Sequence, residues 1–403
     1  MSHVTFVTDA LGPGGAERQL VLLASELLRV GWQPEILRYY AQDFHAIPDG
    51  VPAHLLPRRG PADPRLMAAL LGRLRRDRTD LVHTWKPQAA VYAGAAALGP
   101  RRPPVLLHLH TGRAFLERRP LAARSYLLAA ALSDHVVGVA EDGLDWLAAH
   151  GLPRERMRWL PNLLGRAFVA HPALRGEAAL EPLRDLGYAH AEPPVAIIGR
   201  VDANKNASGV VRGLAALAAR GVDVPPVLML GEVTEPDELA RAHEAAASAG
   251  LRLHHHTPID GIEVVLDAAQ LVVLGSHAEG QPMVVIEAMA RGRRVVAPST
   301  GAIPSLIDDG RTGFLVPQQA GRTTDDGLAE TLARALAQPQ AAATAMGAAA
   351  KQAALAGFGP DAVTARWTAL YDQLRAERAG PMLPFSELAG ARRWLAGLRH
   401  PGA

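Results

Sequence analysis

The chain has 403 residues, of which 49% are hydrophobic and 20% charged, so it is long enough for two domains that each bury a core. A formal net charge of +2 does not favour nucleic acid as a partner. The absence of cysteine excludes disulfides, thiolate metal sites and cysteine catalysis. The sequence has no signal-peptide pattern and no uninterrupted run of about 18 apolar residues, so we expect a cytoplasmic protein.

The charged residues are unevenly distributed. Residues 1–185 carry 23 Lys and Arg against 18 Asp and Glu, whereas residues 186–403 carry 19 against 22. A basic first half favours an acidic acceptor or peripheral contact with an anionic membrane, and a scatter of solvated charges is the alternative. Only Lys86, Lys205 and Lys351 are lysines. In a chain that otherwise uses arginine, we expect a lysine where a compact charge matters.

Short apolar runs alternate with helical stretches, which predicts parallel sheets covered by helices. The proline-containing stretch 161–194 has weak periodicity and separates two such series. In the first series we predict strands at 4–8, 35–39, 81–84, 105–110 and 135–139, with helices at 16–30 and 141–150. In the second we predict strands at 195–199, 227–230, 271–274 and 295–298, with helices at 207–220, 236–249, 282–291 and 325–355. The residues after 360 are predicted to be mostly helical.

A glycine-rich turn follows the first predicted strand. Gly14 and Gly15 stand where this strand gives way to a helix, and free backbone N–H groups at such a point suit a phosphate. The turn is not a dinucleotide-binding fingerprint, because Glu17 occupies the position of its third glycine. A tight turn without a ligand is the alternative interpretation.

Two cations follow the first strand of the second series. Gly199 ends this strand, so Arg200 and Lys205 are expected at its carboxyl edge, where doubly wound folds bind ligands. Two cations beside a diphosphate can stabilise charge on the leaving phosphate, as a divalent metal does elsewhere. Since the chain has no Asp-x-Asp, we expect no metal and no cofactor. Two solvated surface charges are the alternative.

The segment from Ser276 to Ala290 is the most informative. Pro282 is suited to the first position of a helix, whose free N–H groups would face a phosphate or sugar oxygen. Glu279 lies in the loop before this helix. Glu287 lies within it among apolar residues, where a carboxylate needs a partner such as vicinal hydroxyls. A glutamate that caps a helix or pairs with an arginine is the alternative.

Four segments together resemble the motifs of retaining glycosyltransferase family 4, in the family's order and over about residues 1–375. They are GGAERQL, VAIIGRVDANKN, the E-x7-E stretch of residues 276–290, and RVVAPSTGAIPSLIDDGRTGFLVP. The resemblance implies the α/β class and the GT-B fold, with two Rossmann-like, doubly wound parallel-sheet domains facing across a cleft. The implied parts are an acceptor-binding domain at 1–170, a linker at 171–192, a nucleotide-sugar-binding domain at 193–358, and C-terminal helices at 359–403 that partly return to the first domain.

The resemblance also implies roles for individual residues. Glu287 would hold the donor ribose, Glu279 the transferred hexose, and Arg200 with Lys205 the diphosphate. His110 matches the family's active-site histidine, with a hydrogen-bonded strand-end histidine as the alternative, and His108 lies on the same face of the strand. The implied catalytic residues are His110, Arg200, Lys205 and Glu279. The implied donor-binding residues are Gly14, Gly15, Gly199, Arg200, Lys205, Glu279, Gly280, Gln281, Pro282, Met283, Val284 and Glu287.

The acceptor is expected on the first domain. Trp85 and Lys86 end a strand next to that of His110 and could stack on and bind an acceptor, and Arg113 opens a basic and apolar segment just after His110. The resemblance thus implies transfer of a hexose-type sugar from a UDP- or GDP-linked donor to a glycan or lipid-linked acceptor of bacterial cell-surface polysaccharide or glycolipid biosynthesis. A nucleotide-sugar epimerase, a phosphorylase and a non-catalytic sugar-binding homologue remain alternatives.

Overall fold

The computed structural model describes residues 2–12, 14–42, 44–60, 63–76, 79–96, 102–259 and 261–377. The chain divides into two compact units. The first consists of Met1–Leu163 with Pro360–Ala403, and the second of Leu164–Gly359.

The first unit contains a seven-stranded parallel sheet with the order β3-β2-β1-β4-β5-β6-β7. Its strands are β1 (His3–Thr8), β2 (Gln33–Arg38), β3 (Ala53–Leu55), β4 (Leu81–Thr84), β5 (Val105–Leu109), β6 (His135–Gly138) and β7 (Met157–Trp159). The described helices of this unit are α1 (Gly15–Arg29), α2 (Pro64–Arg76), α3 (Pro87–Ala96), α4 (Arg113–Arg118), α5 (Pro120–Ala131), α6 (Glu141–Ala149) and α16 (Pro360–Ala376), with a short 3-10 turn at Arg154–Arg156.

The second unit contains a six-stranded parallel sheet with the order β10-β9-β8-β11-β12-β13, and a separate antiparallel hairpin of β14 and β15. Its strands are β8 (Val195–Ile198), β9 (Val227–Leu230), β10 (Leu253–His256), β11 (Leu271–Val273), β12 (Arg294–Pro298), β13 (Phe314–Val316), β14 (Gln318–Gln319) and β15 (Arg322–Thr323). Its helices are α7 (Ala167–Ala170), α8 (Glu177–Arg184), α9 (Ala207–Ala218), α10 (Pro236–Ser248), α11 (Glu263–Ala268), α12 (Met283–Ala290), α13 (Ile303–Leu306), α14 (Asp325–Leu336) and α15 (Gln340–Phe358).

Sequence pattern explains both kinds of element. The central strands are continuous apolar runs because helices cover both faces of each sheet, and every residue of β5 is buried. Helix α1 is amphipathic, since its buried Leu20, Leu23, Ala24 and Leu27 recur at helical spacing, and Gly31 follows with a φ of 87° that stops the helix.

Strand order locates where each unit can bind a ligand. In the first sheet β1 lies between β2 and β4, and in the second β8 lies between β9 and β11, so the order reverses beside β1 and beside β8. Ligands of doubly wound sheets bind at this switch point, outside the carboxyl ends of the strands. The predicted glycine turn follows β1 and the predicted Arg200–Lys205 loop follows β8.

Backbone packing at the end of β8 requires glycine. Gly199 has a φ of +149°, which side chains rarely adopt, and a side chain on Gly231, after β9, would collide with the Gly199 carbonyl oxygen. The two strand ends therefore approach each other backbone to backbone.

The C-terminal helix α16 belongs to the first unit. Its Val363, Trp367 and Tyr371 are fully or almost fully buried in the core that also contains Phe6 and Trp85. The part of the predicted C-terminal helices beyond residue 377 lies outside the described residues.

The structure corrects three sequence predictions. The expected linker at 171–192 is part of the second unit, because it forms α8, whose Leu180 and Leu183 join that unit's core. The single helix expected at 325–355 is two helices, because Pro339 precedes α15 and has no N–H to continue α14. The predicted strands omitted the short strands β3, β7, β10 and β13 and the hairpin.

Candidate active site

One carboxylate organises the loop after β8. Asp202 accepts the backbone N–H of Lys205 through Oδ1 at 2.8 Å, and its Oδ2 lies 3.0 Å from Nη2 of Arg200. The Asp202 side chain is 10% exposed, whereas that of Arg200 is 58% exposed. The loop thus presents the arginine to solvent while it fixes the backbone of the lysine.

Asparagine side chains tie this loop to the one after β11. The side chain of Asn204 donates from Nδ2 to the backbone carbonyl of Ala278 at 3.0 Å. The backbone carbonyl of Asn204 accepts the N–H of His277 at 2.8 Å. Asn206, which precedes α9 in the left-handed conformation, donates from Nδ2 to the carbonyl of Gly275 at 3.2 Å. The predicted phosphate loop and the predicted sugar loop are therefore one hydrogen-bonded assembly.

The assembly brings Lys205 and Glu279 into direct contact. Nζ of Lys205 lies 2.6 Å from Oε1 of Glu279, and the two side chains are 26% and 9% exposed. Removing a carboxylate from water to this extent requires a partner, and the ammonium is that partner. The contact joins two residues that the sequence placed 74 positions apart.

Backbone geometry shapes the loop around Glu279 and Gly280. Ala302 donates its N–H to the carbonyl of Gly280 at 2.7 Å, and a side chain on Gly301 would collide with the carbonyls of Glu279 and Gly280. The polypeptide after β12 therefore supports the Glu279 loop from directly beside it.

Helix α12 begins one residue later than predicted. Pro282 is its extended N-cap residue, and Met283 and Val284 form its first turn. Glu287 is 1% exposed within this helix, and Gln281 before it is 6% exposed. The predicted ribose-binding carboxylate thus lies in the interior of the second unit, one helical turn beyond residues whose N–H groups are free of helical bonds.

The hairpin of β14 and β15 adds a residue that the motifs did not indicate. Nη2 of Arg322 lies 3.0 Å from Nε2 of His277, and Gln318 donates from Nε2 to the His277 carbonyl at 2.9 Å. The hairpin turns at Ala320 and Gly321, both with positive φ. The sequence signal for this hairpin is the Ala-Gly pair between the polar residues Gln318–Gln319 and Arg322–Thr323.

In the first unit, α1 begins at Gly15, one residue earlier than predicted. Gly14 is its extended N-cap residue, and a side chain there would collide with the carboxylate of Glu17. Glu17 is 7% exposed, and its Oε1 lies 2.6 Å from Nζ of Lys86. Burial alone would lower the pKa of Lys86, but the charges of Glu17 and Asp9 outweigh it and raise that pKa.

Trp85 requires a correction. The indole is 1% exposed, and Nε1 donates to the carbonyl of Ala16 at 2.5 Å. A ring in this position has no free face for a sugar, because Phe6, His108 and His110 surround it. Trp85 belongs to the core of the first unit, and its neighbour Lys86 is the residue that reaches the surface.

Arg113 lies at the start of α4, where its Nε donates to Glu117 at 2.7 Å. The Arg113 side chain is 61% exposed. The structure therefore places it on the surface, within a short helical pair and not among the buried groups around His110.

His110 follows β5 at the edge of a buried histidine cluster. The rings of His108 and His110 are 3.8 Å apart between centroids, and His83 stacks on His108 at 5.2 Å. His83 shares a hydrogen bond of 2.7 Å between Nδ1 and the hydroxyl of Tyr371. Burial, followed by the charge of Lys86, lowers the pKa of His110 to about 3, so the imidazole is neutral at pH 7.

The three consecutive histidines of β10 have three different partners. His254 pairs with Nε2 of His190 at 2.7 Å, His255 with the carbonyl of Gly231 at 3.0 Å, and His256 with that of Thr257 at 2.7 Å. The alternation of a strand explains this divergence. In the described ranges, no group of three His, Cys, Asp or Glu residues has the arrangement of a metal site.

Two family profiles match the chain. The profile described as "Glycosyltransferase Family 4" matches residues 13–164, and that described as "Glycosyl transferases group 1" matches residues 192–338. Together these ranges cover well over half of the sequence and contain the residues described above from Gly14 to Lys86 and from Gly199 to Glu287. The chain belongs to glycosyltransferase family 4.

Relatives of known name agree with this assignment. A D-inositol 3-phosphate glycosyltransferase from Nocardia farcinica is 30% identical over 260 residues, which are 62% of this chain and 53% of that protein. An alpha-maltose-1-phosphate synthase from Mycolicibacterium smegmatis is 34% identical over 168 residues, or 40% and 43% of the two chains. The matched part is about half the length of these relatives.

Solved structures establish the fold class. HepE from Anabaena, crystallised with UDP and glucose, superposes with a TM-score of 0.77 and 18% identity, over 93% of this chain and 100% of that one. The chain, with one parallel-sheet α/β domain in each unit, therefore has the GT-B fold that the motifs implied. No helix in the described part of the chain is long and apolar enough to cross a membrane.

Because its histidine cluster is buried, we expect the first unit to lose stability in acid. Burial holds the pKa of His83 and His108 well below 6.5, with the neighbouring His110 as a further cause. As the pH falls below about 6.5, these histidines are protonated in the unfolded chain but stay neutral in the folded cluster. The free energy of unfolding therefore decreases by up to about 1.4 kcal/mol per pH unit for each histidine. We expect the melting temperature to decline from pH 7 towards pH 4, and His108→Gln to make this decline shallower.

Tryptophan fluorescence is the appropriate measurement, because residues 164–359 contain no tryptophan and the signal reports on the first unit. His54→Gln is the matched control, since His54 is 37% exposed and lies 3.2 Å from Glu35 at the sheet edge. An equal slope for wild type and His108→Gln would contradict the assignment of acid sensitivity to the cluster.

Proposed function

We propose that the protein is a retaining glycosyltransferase that transfers a hexose-type sugar from a nucleotide-sugar donor, held by the second unit, to an acceptor recognised by the first. The observation that carries the proposal is the Lys205–Glu279 ion pair at the carboxyl edge of the second sheet, with Arg200 on the same loop. It combines a cation for a diphosphate with a carboxylate for sugar hydroxyls.

The chemistry depends on where charge develops. As the bond between the anomeric carbon and the diphosphate oxygen breaks, negative charge increases on the leaving phosphate. Cations that already lie in place stabilise this charge most in the transition state. The ammonium of Lys205 and the exposed guanidinium of Arg200 are the groups we assign to this role. We assign sugar hydroxyls to Glu279, and we propose no metal ion in the step.

Neutral His110 completes the proposed set. Its low pKa means that it meets a ligand as an imidazole with one donor and one acceptor nitrogen, and not as a cation. Such a group suits a sugar hydroxyl. We therefore assign it to orientation of the transferred sugar.

The proposed acceptor carries negative charge or a lipid. The names of both relatives include a phosphorylated polyol or sugar, which supports an anionic acceptor. Arg113 and Lys86 of the first unit are the cations we propose for it. Cell-surface polysaccharide or glycolipid biosynthesis remains the proposed setting.

A surface of the first unit supports contact with anionic lipid. Arg118, Arg119 and Arg124 are exposed on α4 and α5, and between them Leu121 is 77% exposed. Leu128, two helical turns further along α5, is 37% exposed. Exposed leucines flanked by arginines are typical of interfacial segments, where the apolar side chains enter the headgroup region and the cations meet lipid phosphates.

The donor proposal predicts stabilisation by a nucleoside diphosphate without any metal. Among UDP, GDP, ADP and dTDP, tested with and without their common sugars, at least one is expected to raise the melting temperature by mass action. Because cationic side chains replace a metal, the shift should be the same in EDTA. A shift that appears only with magnesium or manganese would contradict the proposed role of Arg200 and Lys205, and no shift for any nucleotide would contradict a donor site.

Lys205 should matter more for turnover than for donor affinity. We expect Lys205→Ala to lower kcat by about 100-fold or more, with a smaller change in KM, because charge on the leaving phosphate peaks in the transition state. Lys205→Arg should not restore full activity, since a planar fork does not replace a compact ammonium next to Glu279.

Steady-state kinetics with the donor identified by thermal shift test this expectation. Arg220→Gln, which removes an exposed cation of the same unit, is the control and should leave kcat unchanged. An unaltered kcat with a raised KM for Lys205→Ala would assign the lysine to binding alone.

Liposome co-sedimentation tests the lipid-facing surface. We expect the protein to sediment with anionic vesicles at low salt, less so as salt screens the attraction, and little after Arg118→Glu with Arg119→Glu. The control is Arg65→Glu with Arg154→Glu, which reverses two exposed charges elsewhere in the first unit. Absence of binding at low salt, or equal loss in both double variants, would favour a soluble acceptor.

A further inference from the structure

A cavity of about 1210 Å³ lies at the opposite edge of the second sheet from the donor residues. It is lined by Pro193, Gln270 and Arg293, which lie one or two residues before β8, β11 and β12, and by residues of α8 and α15. Since Gly199 and Ser276 follow the carboxyl ends of β8 and β11, the length of a strand separates the cavity from them, or about 13 Å for the four residues of β8.

Basic side chains dominate the charged lining of this cavity. The cations are Arg175, Arg184, Arg293, Arg294 and Lys351, and the carboxylates are Glu177 and Asp267. Asp267 accepts two hydrogen bonds from Arg291, including one of 2.6 Å from Nε, and both side chains are almost completely buried. Glu177 lies 3.7 Å from Arg184. Both carboxylates are therefore already paired, and Arg175, Arg293, Arg294 and Lys351 remain in excess.

The two most buried of these arginines contact carbonyl groups. Arg294 donates from Nη1 to Ala335 at 2.6 Å, and Arg293 donates from Nη2 to Leu174 at 3.2 Å. Nε of Arg293 is buried and has no hydrogen-bond partner within the described ranges. Burial, with the charges of Arg175 and Arg291, lowers the pKa of Arg293 to about 10, although Asp267 opposes this. Such a guanidinium is costly to the free protein, and an anion would offset the cost.

The excess of cations is not a property of the unit as a whole. Residues 164–359 carry 16 Lys and Arg against 21 Asp and Glu, so the cavity is positive within a net negative unit. Lys351 is one of three lysines in the chain. Lys86 and Lys205 each lie 2.6 Å from a glutamate, whereas Lys351 and Arg175 have no paired carboxylate in the part of the chain that the structure describes.

We propose that this cavity binds a small polyanion that carries two or more phosphate groups, at a site separate from the donor site and independent of sugar transfer. Its volume is slightly above that of a typical small-molecule pocket, so it has room for a phosphorylated ligand, and its concave walls come from several elements of one unit. Arginine forks match phosphate oxygens in bidentate geometry, and one lysine adds a compact charge. Four unpaired cations suit a ligand with several negative charges.

Isothermal titration with inorganic tripolyphosphate at low salt tests the proposal on the full chain. We expect saturable binding that Arg175→Gln with Lys351→Gln weakens about tenfold or more, because two charge-assisted contacts are lost. Both side chains are exposed, so the variant should fold, and its melting temperature verifies this. Arg293→Gln should weaken binding in the same direction.

Two controls locate the anion. Arg200→Gln removes the exposed cation of the donor loop, and Arg220→Gln with Arg311→Gln removes two exposed charges elsewhere in the same unit. Both should change the affinity of the cavity less than twofold, and Arg200→Gln should weaken only a second, separate site at the donor loop. Loss of all binding with Arg200→Gln would place the anion in the donor loop, equal loss in both double variants would show diffuse attraction, and no binding to wild type would show an empty cavity. Each of these results would overturn the proposal.

Discussion

The ion pair between Lys205 and Glu279 is the constraint on which the second unit's site depends. The loops after β8 and β11 must bring Nζ of Lys205 within 2.6 Å of Oε1 of Glu279, and the surrounding polar contacts hold the two loops in this position. Asp202 fixes the lysine backbone, and Asn204 joins the loops. Because breaking one partner of a mostly buried pair leaves the other charge unpaired, neither residue can change alone without cost. The site is therefore held in shape by the same charges that we assign to the donor.

Ion pairing also explains how the protein stabilises a partly buried lysine when no ligand is bound. A lysine beside a carboxylate is neutralised in the free protein, and the diphosphate that we propose as its ligand would compete with that carboxylate for it. The glutamate then becomes available to hydroxyl groups. The first unit contains a similar ion pair near the turn after β1, where Nζ of Lys86 lies 2.6 Å from Oε1 of Glu17. In each unit one of the chain's rare lysines is therefore kept in place by a glutamate near the switch point of the sheet.

The sequence predicts the fold best where a local pattern determines structure. The bounds of β4 and β9 agree with the predicted ones, and the other predicted strands differ by one or two residues at an end, because apolar runs buried on both faces are unambiguous. The motifs placed Lys205 and Glu279 on their loops, but their contact depends on tertiary hydrogen bonds from Asn204 and Asn206. The burial of Trp85 could not be predicted, because its neighbours include Trp367 of α16, at the far end of the chain. The short edge strands have too few residues for a period to appear.

Helix α12 connects the two edges of the second unit. It begins beside Gln281 and Pro282, carries Glu287 in its interior, and is followed at once by Arg291, which Asp267 holds in a buried pair. The next residues, Gly292 to Arg294, line the basic cavity. A helix of eight residues spans about 12 Å and is stiff on that scale, so its two ends cannot move independently. The turn at Gly292 is therefore rigidly joined to Glu287, although the cavity and the donor loops lie at opposite edges of the sheet.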